Sequence, residues 1–208
     1  MLNFTRSLIA TAAILASSAA SAALVPVGVQ NDVALGTVAG WGFSECSVVN
    51  YAQSNAGSRS AAMLSGCSGD YLMMAARRVG STVYEVLAAA DFSDVIFETG
   101  TGNTTHSANG VEWYFNDNYS WGFAGGGDVV SRTSCDTAGY SERDRLCWHT
   151  HDYFSGGWRA GSFTGLNNDS GWEKVLLVAN DGHQVPEPVG LALLALGLTG
   201  ALTRRRNG

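Results

Sequence analysis

A chain of 208 residues, 46% hydrophobic and only 14% charged, is long enough to bury one core of its own. Acid outweighs base between residues 23 and 186, where seventeen Asp and Glu face eight Lys and Arg, a net charge of −9, while both ends are basic. Such a surface repels phosphate backbones and anionic membranes, which excludes nucleic acid as a partner.

The first 22 residues read as a signal peptide. Arg6 charges the leading segment, residues 8–16 are apolar without a charge, and Ala20-Ser21-Ala22 supplies the small residues a signal peptidase accepts. Cleavage is predicted between Ala22 and Ala23. The apolar stretch is too short to span a bilayer, which argues against a permanent anchor.

From residue 33 the text becomes short apolar runs separated by Gly, Ser, Asn and Asp. Strands are predicted at 33–41, 71–77, 82–88, 95–99, 111–115, 119–124, 146–151, 157–163 and 172–179. Strands recurring every 8–12 residues with turn signals between them indicate an all-β domain over residues 23–184, a β-sandwich of jelly-roll or immunoglobulin-like type. Residues 111–123 read as a hairpin, with Asn116-Asp117-Asn118 as a turn that tolerates left-handed backbone and aromatics on both arms. The run 84–92, with its alanines and a Glu, suits one short helix equally well.

Four cysteines, Cys46, Cys67, Cys135 and Cys147, are an even number, as expected for disulfides in an exported protein. Three pairings are open. The sequential one, Cys46–Cys67 with Cys135–Cys147, is favoured because each bond closes a short Gly- and Ser-rich loop. A four-cysteine metal site is disfavoured by the lack of any C-x-x-C unit.

Candidates for chemistry are few. His149-Thr150-His151-Asp152, if extended, places both imidazoles on one face, where with Asp152 they could ligate zinc or another transition metal. A solvent-facing strand end is the commoner fate of so short a motif, and His106 and His183 stand apart from it. No G-x-S-x-G elbow occurs. Glu98, Glu112 and Glu173 lie on or near strands, where a carboxylate pair for glycoside hydrolysis depends on the fold. Asn116-Asp117-Asn118 and Asn167-Asn168-Asp169 are oxygen-rich loops suited to calcium, but turn formation explains them as well. Trp113, Tyr114, Trp121, Trp148, Trp158 and Trp172 would stack on sugars if exposed, yet alternation with polar residues places most of them in a core.

The chain ends in three parts: Val185-Pro186-Glu187-Pro188, then an apolar run over 189–203, then Arg204-Arg205-Arg206. Fifteen residues make a helix of about 22 Å, marginal against a hydrocarbon core of about 30 Å. The arginines would stay cytoplasmic. This tail resembles the PEP-CTERM sorting signal over residues 185–208. The resemblance implies an exosortase as partner, a transient stage anchored in the inner membrane, cleavage near Pro186-Glu187-Pro188, and a Gram-negative envelope in which the product associates with exopolysaccharide or biofilm. The expectation is therefore an exported, non-catalytic surface or matrix protein. Two alternatives stand beside it: a carbohydrate-binding module, and a metal-dependent hydrolase using His149 and His151.

Overall fold

In the computed structural model the described residues are 22–53, 60–139, 142–151 and 156–181. The first elements are β1 (Gln30–Ala34), α1 (Leu35–Gly40), β2 (Ser44–Asn50), α2 (Ser60–Leu64), β3 (Tyr71–Arg78), β4 (Val83–Asp91) and α3 (Phe92–Val95). There follow β5 (His106–Ala108), β6 (Val111–Phe115), β7 (Ser120–Gly125), β8 (Leu146–His149), β9 (Gly157–Ala160), β10 (Phe163–Thr164) and β11 (Trp172–Ala179). They make two antiparallel sheets, one in the order β1-β4-β3-β11-β2 and the other β10-β9-β8-β7-β6-β5. The domain is mostly β, with three short helices among the described residues.

The period of two in the strands builds a core common to both sheets. Leu72, Met74, Ala76, Val86, Ala88, Ala90, Trp172 and Leu176 of the first sheet join Trp113, Trp121, Phe123, Leu146 and Trp148 of the second in one buried cluster. Its aromatics meet edge to face: Trp121 and Trp148 at 5.8 Å and 82°, Phe115 and Trp121 at 5.4 Å and 74°. Each such pair contributes about 0.5–1.5 kcal/mol beyond the area it buries. The indole N–H groups find acceptors there. Trp121 donates to the Val95 carbonyl at 3.0 Å and Trp148 to the Tyr51 hydroxyl at 2.9 Å.

Each sheet is also covered on its other face. On the first, Met73, Ala75, Leu87, Ala89, Val175 and Leu177 pack with Val38 of α1, Phe43, and the leading segment through Ala23 and Val25. On the second, Tyr114, Ala124 and Cys147 lie with Val130 and Cys135 of the β7–β8 connection. Double coverage makes β3 and β11 near-continuous apolar runs rather than alternating ones.

Several sequence expectations need correction. The predicted strand at 33–41 ends at Ala34, and α1 follows because docking Val38 into the outer core outweighs the poor propensity of its two glycines. The helix entertained at 84–92 is strand β4 up to Asp91. Its alanines fit there because Ala88 and Ala90 face one core and Ala89 the other, leaving little room for larger side chains. Helix α3 starts only at Phe92, so the strand predicted at 95–99 is reduced to one bridge, Glu98 to Phe115. The run 157–163 breaks at Gly161, whose φ of +59° suits glycine and turns the chain from β9 into β10. The connectivity also differs from an immunoglobulin-like or jelly-roll order. Six consecutive strands form an up-and-down meander, instead of crossing repeatedly between sheets.

Two bonds staple the domain in the sequential pairing: Cys46 to Cys67, with Cα atoms 5.0 Å apart, and Cys135 to Cys147, at 5.8 Å. Among the described residues no helix is long and apolar enough to cross a membrane. Most of the expected signal peptide and the whole apolar tail lie outside the described residues.

Candidate functional site

The long connection from β7 to β8 supplies most of a small pocket, and buried charge explains how that connection is held. Arg145 reaches back to Asp136 at 2.8 Å, to Asp128 at 3.1 Å and to Glu142. Asp136 accepts the backbone N–H groups of Ser131 at 2.9 Å and Ala138 at 3.0 Å. Arg159 of β9 is fully buried and donates to the carbonyls of Ala138, Gly139, Glu142 and Gly161. Arg132 donates to Ser120, Gly100 and Gly102 and lies over the Tyr114 ring at 4.8 Å. Three arginines that would serve as surface charges elsewhere thus act as clamps on irregular backbone. The Cys135–Cys147 bond pins the same segment to β8.

Under this clamped loop lies a pocket of about 150 Å³ lined by Thr133, Ser134, Cys135, Thr137, His149, Trp158 and Asn167. His149 ends β8 and is 2% exposed. Burial pushes its pKa down to about 4; hydrogen bonding by the Ser134 backbone and the Asn167 side chain opposes this, while Lys174 and His151 push the same way. His149 is therefore neutral at physiological pH. Lys174 of β11 shares the strand face of Trp172 and Leu176, pairs in register with Ala76 and Val49, and is fully buried. Burial pushes its ammonium down to about 7.

The metal motif does not assemble as the sequence suggested. Strand β8 stops at His149, so the period of two no longer relates it to His151, which follows in a turn, half-buried. Asp152 lies outside the described residues, and among those described no group of three His, Cys, Asp or Glu stands close enough to share an ion. His106 instead meets Asp94 at 2.8 Å and stacks on Phe97 at 4.3 Å.

The acidic candidates are spent on structure. Glu112 accepts from Thr105, Ser107 and the Gly127 N–H, and these bonds hold its carboxyl below the usual range against the opposing effect of burial. Glu173 pairs with Arg77 at 2.6 Å, and Glu98 accepts from Gly100 and Asn116. The two oxygen-rich loops are turns. Asn116 accepts from the Asn118 N–H at 3.0 Å, Asp117 accepts from the Ser60 hydroxyl, and Asp169 accepts from the Gly171 N–H at 2.7 Å.

Trp113, Trp121, Trp148 and Trp172 are buried, as is Tyr114, so these aromatics form core and not a row on the surface. Trp158 is half-buried at the pocket. Of the residues expected at the cleavage site, Ala22 and Ala23 begin the described segment and Ala20 lies outside it. Val185, Pro186, Glu187, Pro188, Arg204, Arg205 and Arg206 likewise lie outside the described residues.

Sequence reasoning named His149 and, in separate roles, Cys135, Trp158 and Asn167, but did not bring them together and did not single out Thr133, Ser134, Thr137 or Lys174. The chain matches no protein family, no curated protein and no solved structure.

Proposed function

We propose that this protein is an exported, non-catalytic β-sandwich domain that an exosortase processes and that then serves in the cell envelope or the exopolysaccharide matrix. The observation that carries the reading is the order of three motifs over residues 185–208: Val185-Pro186-Glu187-Pro188, the apolar run 189–203 and Arg204-Arg205-Arg206. Two prolines restrict the preceding backbone to extended conformations, the form a processing cleft can grip. The apolar run is long enough to hold a membrane only marginally, which suits an anchor meant to be removed.

Two features of the domain support the same reading. Its four cysteines are joined in two disulfides, which fits an oxidising compartment outside the cytoplasm. Its buried arginines and Asp136 clamp a loop, a task of durability and not of turnover. Two antiparallel sheets with a common apolar core, each covered on its outer side, fit such a domain.

The test is a Pro186→Ala, Pro188→Ala double variant expressed in a host that carries an exosortase. Retention of the full-length chain in the inner-membrane fraction is expected, against release of the shortened wild type. Identical release of both proteins would refute processing at this tail.

A further inference from the structure

The pocket at the end of β8 has a composition that restricts what can enter it. Its lining comprises three hydroxyl-bearing residues (Thr133, Ser134, Thr137), the amide-bearing Asn167, the His149 imidazole, Trp158 and the half-cystine Cys135. None of these carries a charge at neutral pH, because burial keeps His149 deprotonated. A charged ligand would lose its hydration there and meet no counter-charge in the lining. A purely apolar ligand would make no use of the donor and acceptor sites that the hydroxyls and the amide still offer. The lining therefore suits an uncharged molecule rich in hydroxyl groups.

The size narrows the class further. A volume of about 150 Å³ is that of roughly five waters, below the range of pockets for larger organic ligands. Its enclosed part holds about one six-membered sugar ring. Trp158 offers the kind of surface on which the C–H face of such a ring stacks. Thr137 already donates its hydroxyl hydrogen to the Ser131 carbonyl at 3.1 Å, so its oxygen presents lone pairs to a ligand O–H. Asn167 brings a donor and an acceptor together.

The walls are also fixed before any ligand arrives. Cys135 is bonded to Cys147 of β8, and the Ser134 N–H donates to the Tyr119 hydroxyl at 2.6 Å. Asp136 caps the turn that carries Thr137 through the N–H groups of Ser131 and Ala138. Ser134 is held at φ +67°, a conformation uncommon for a residue with a Cβ. A preformed pocket loses little entropy on binding.

We propose that this pocket binds a single uncharged sugar unit, such as the terminal residue of a neutral glycan, with the ring against Trp158 and its hydroxyls on Thr137, Asn167 and His149. The proposal adds a ligand to the matrix role without depending on the sorting tail, since a domain that binds no sugar can still be sorted.

The test uses the full chain purified in its oxidised form at pH 7. Tryptophan fluorescence is followed during titration with the methyl glycosides of glucose, galactose, mannose and N-acetylglucosamine, and with glucuronic acid and glucosamine as charged counterparts. Saturable binding of at least one neutral glycoside is expected, with Kd on the order of 1 mM. Binding of both charged sugars should be at least tenfold weaker. Thr137→Val and Asn167→Ala should each weaken the neutral sugar by about tenfold, equivalent to about 1.4 kcal/mol, while both variants still unfold cooperatively from a folded state. Absence of saturation by every neutral glycoside overturns the proposal. So does equal binding of a charged sugar, or equal binding by both variants with their folds intact.

Discussion

Asp136 and Arg145 meet at 2.8 Å with both side chains withdrawn from water, and around this pair the loop between β7 and β8 is organised. Asp136 also accepts two backbone N–H groups, and Arg145 also reaches Asp128 and Glu142. Removing one partner strands a buried charge. Asp136→Ala should therefore cost about 3–5 kcal/mol in urea unfolding. The double variant Asp136→Ala, Arg145→Met should recover part of that loss. A double variant as unstable as the sum of its singles would rule out a coupled pair.

The two disulfides close loops of similar length, with separations of 21 and 12 residues. Replacing either pair by serines should lower stability by about 3 kcal/mol, or Tm by roughly 6–12 °C. Only loss of Cys135–Cys147 should also loosen the loop that lines the pocket. Hydrogen exchange of the Ser134 and Thr137 amides separates the two cases: faster exchange in the Cys135→Ser, Cys147→Ser variant alone is expected.

His149 gives the domain an acid limb. Its pKa in the fold is about 4, below the ordinary 6.5, so on acidification the unfolded chain takes up the proton first. This contribution to stability is complete above about pH 6.5 and declines as pH falls towards 4, by roughly 3 kcal/mol in all. His149→Gln should flatten that part of the stability curve. Equal slopes for both proteins between pH 6.5 and 4 would rule the assignment out.

Lys174 acts at the other end of the scale. Its ammonium is pushed down to about 7 from an ordinary 10.5, so the unfolded chain holds a proton that the folded chain has given up. The penalty fades as pH rises from about 7 to 10.5. Lys174→Met should stabilise the domain at neutral pH by on the order of 2–4 kcal/mol and remove the rise towards alkaline pH. Guanidinium unfolding at pH 7 and pH 10 measures both effects, and a less stable variant at pH 7 would show that the amine is needed where it lies.

Where short-range patterning decides structure, the sequence was informative. The hairpin of β6 and β7 follows from aromatic alternation on either side of an Asn-rich turn, with Phe115 opposite Trp121 as the turn length requires. Strand β11 has the bounds its apolar run suggests, and the short loops anticipated the cysteine pairing. Patterning failed where two layers press on one strand. Ala88, Ala89 and Ala90 suited a short helix as well as the predicted strand, because sequence does not reveal that both faces of β4 are covered. Strand β2, SECSVVN, went unnoticed because an edge strand buries only part of its side chains. The pocket was illegible for a different reason. Its residues come from 133–137, 149, 158 and 167, brought together by ion pairs between residues that individually look like solvent-facing charges.

Strand β11 is the last element of the chain to be described, yet it sits inside the first sheet between β3 and β2. Whether the polypeptide emerges from a ribosome or from a translocon, the meander of β5 to β10 can pair neighbour with neighbour as it appears. The first sheet cannot close until residue 179 has emerged, so until then β2 and β3 wait with a gap between them. Completion of the first sheet thereby waits on β11, the last of the described strands. A chain cut short before Trp172 would carry that gap permanently, an exposed ladder open to aggregation and to proteases.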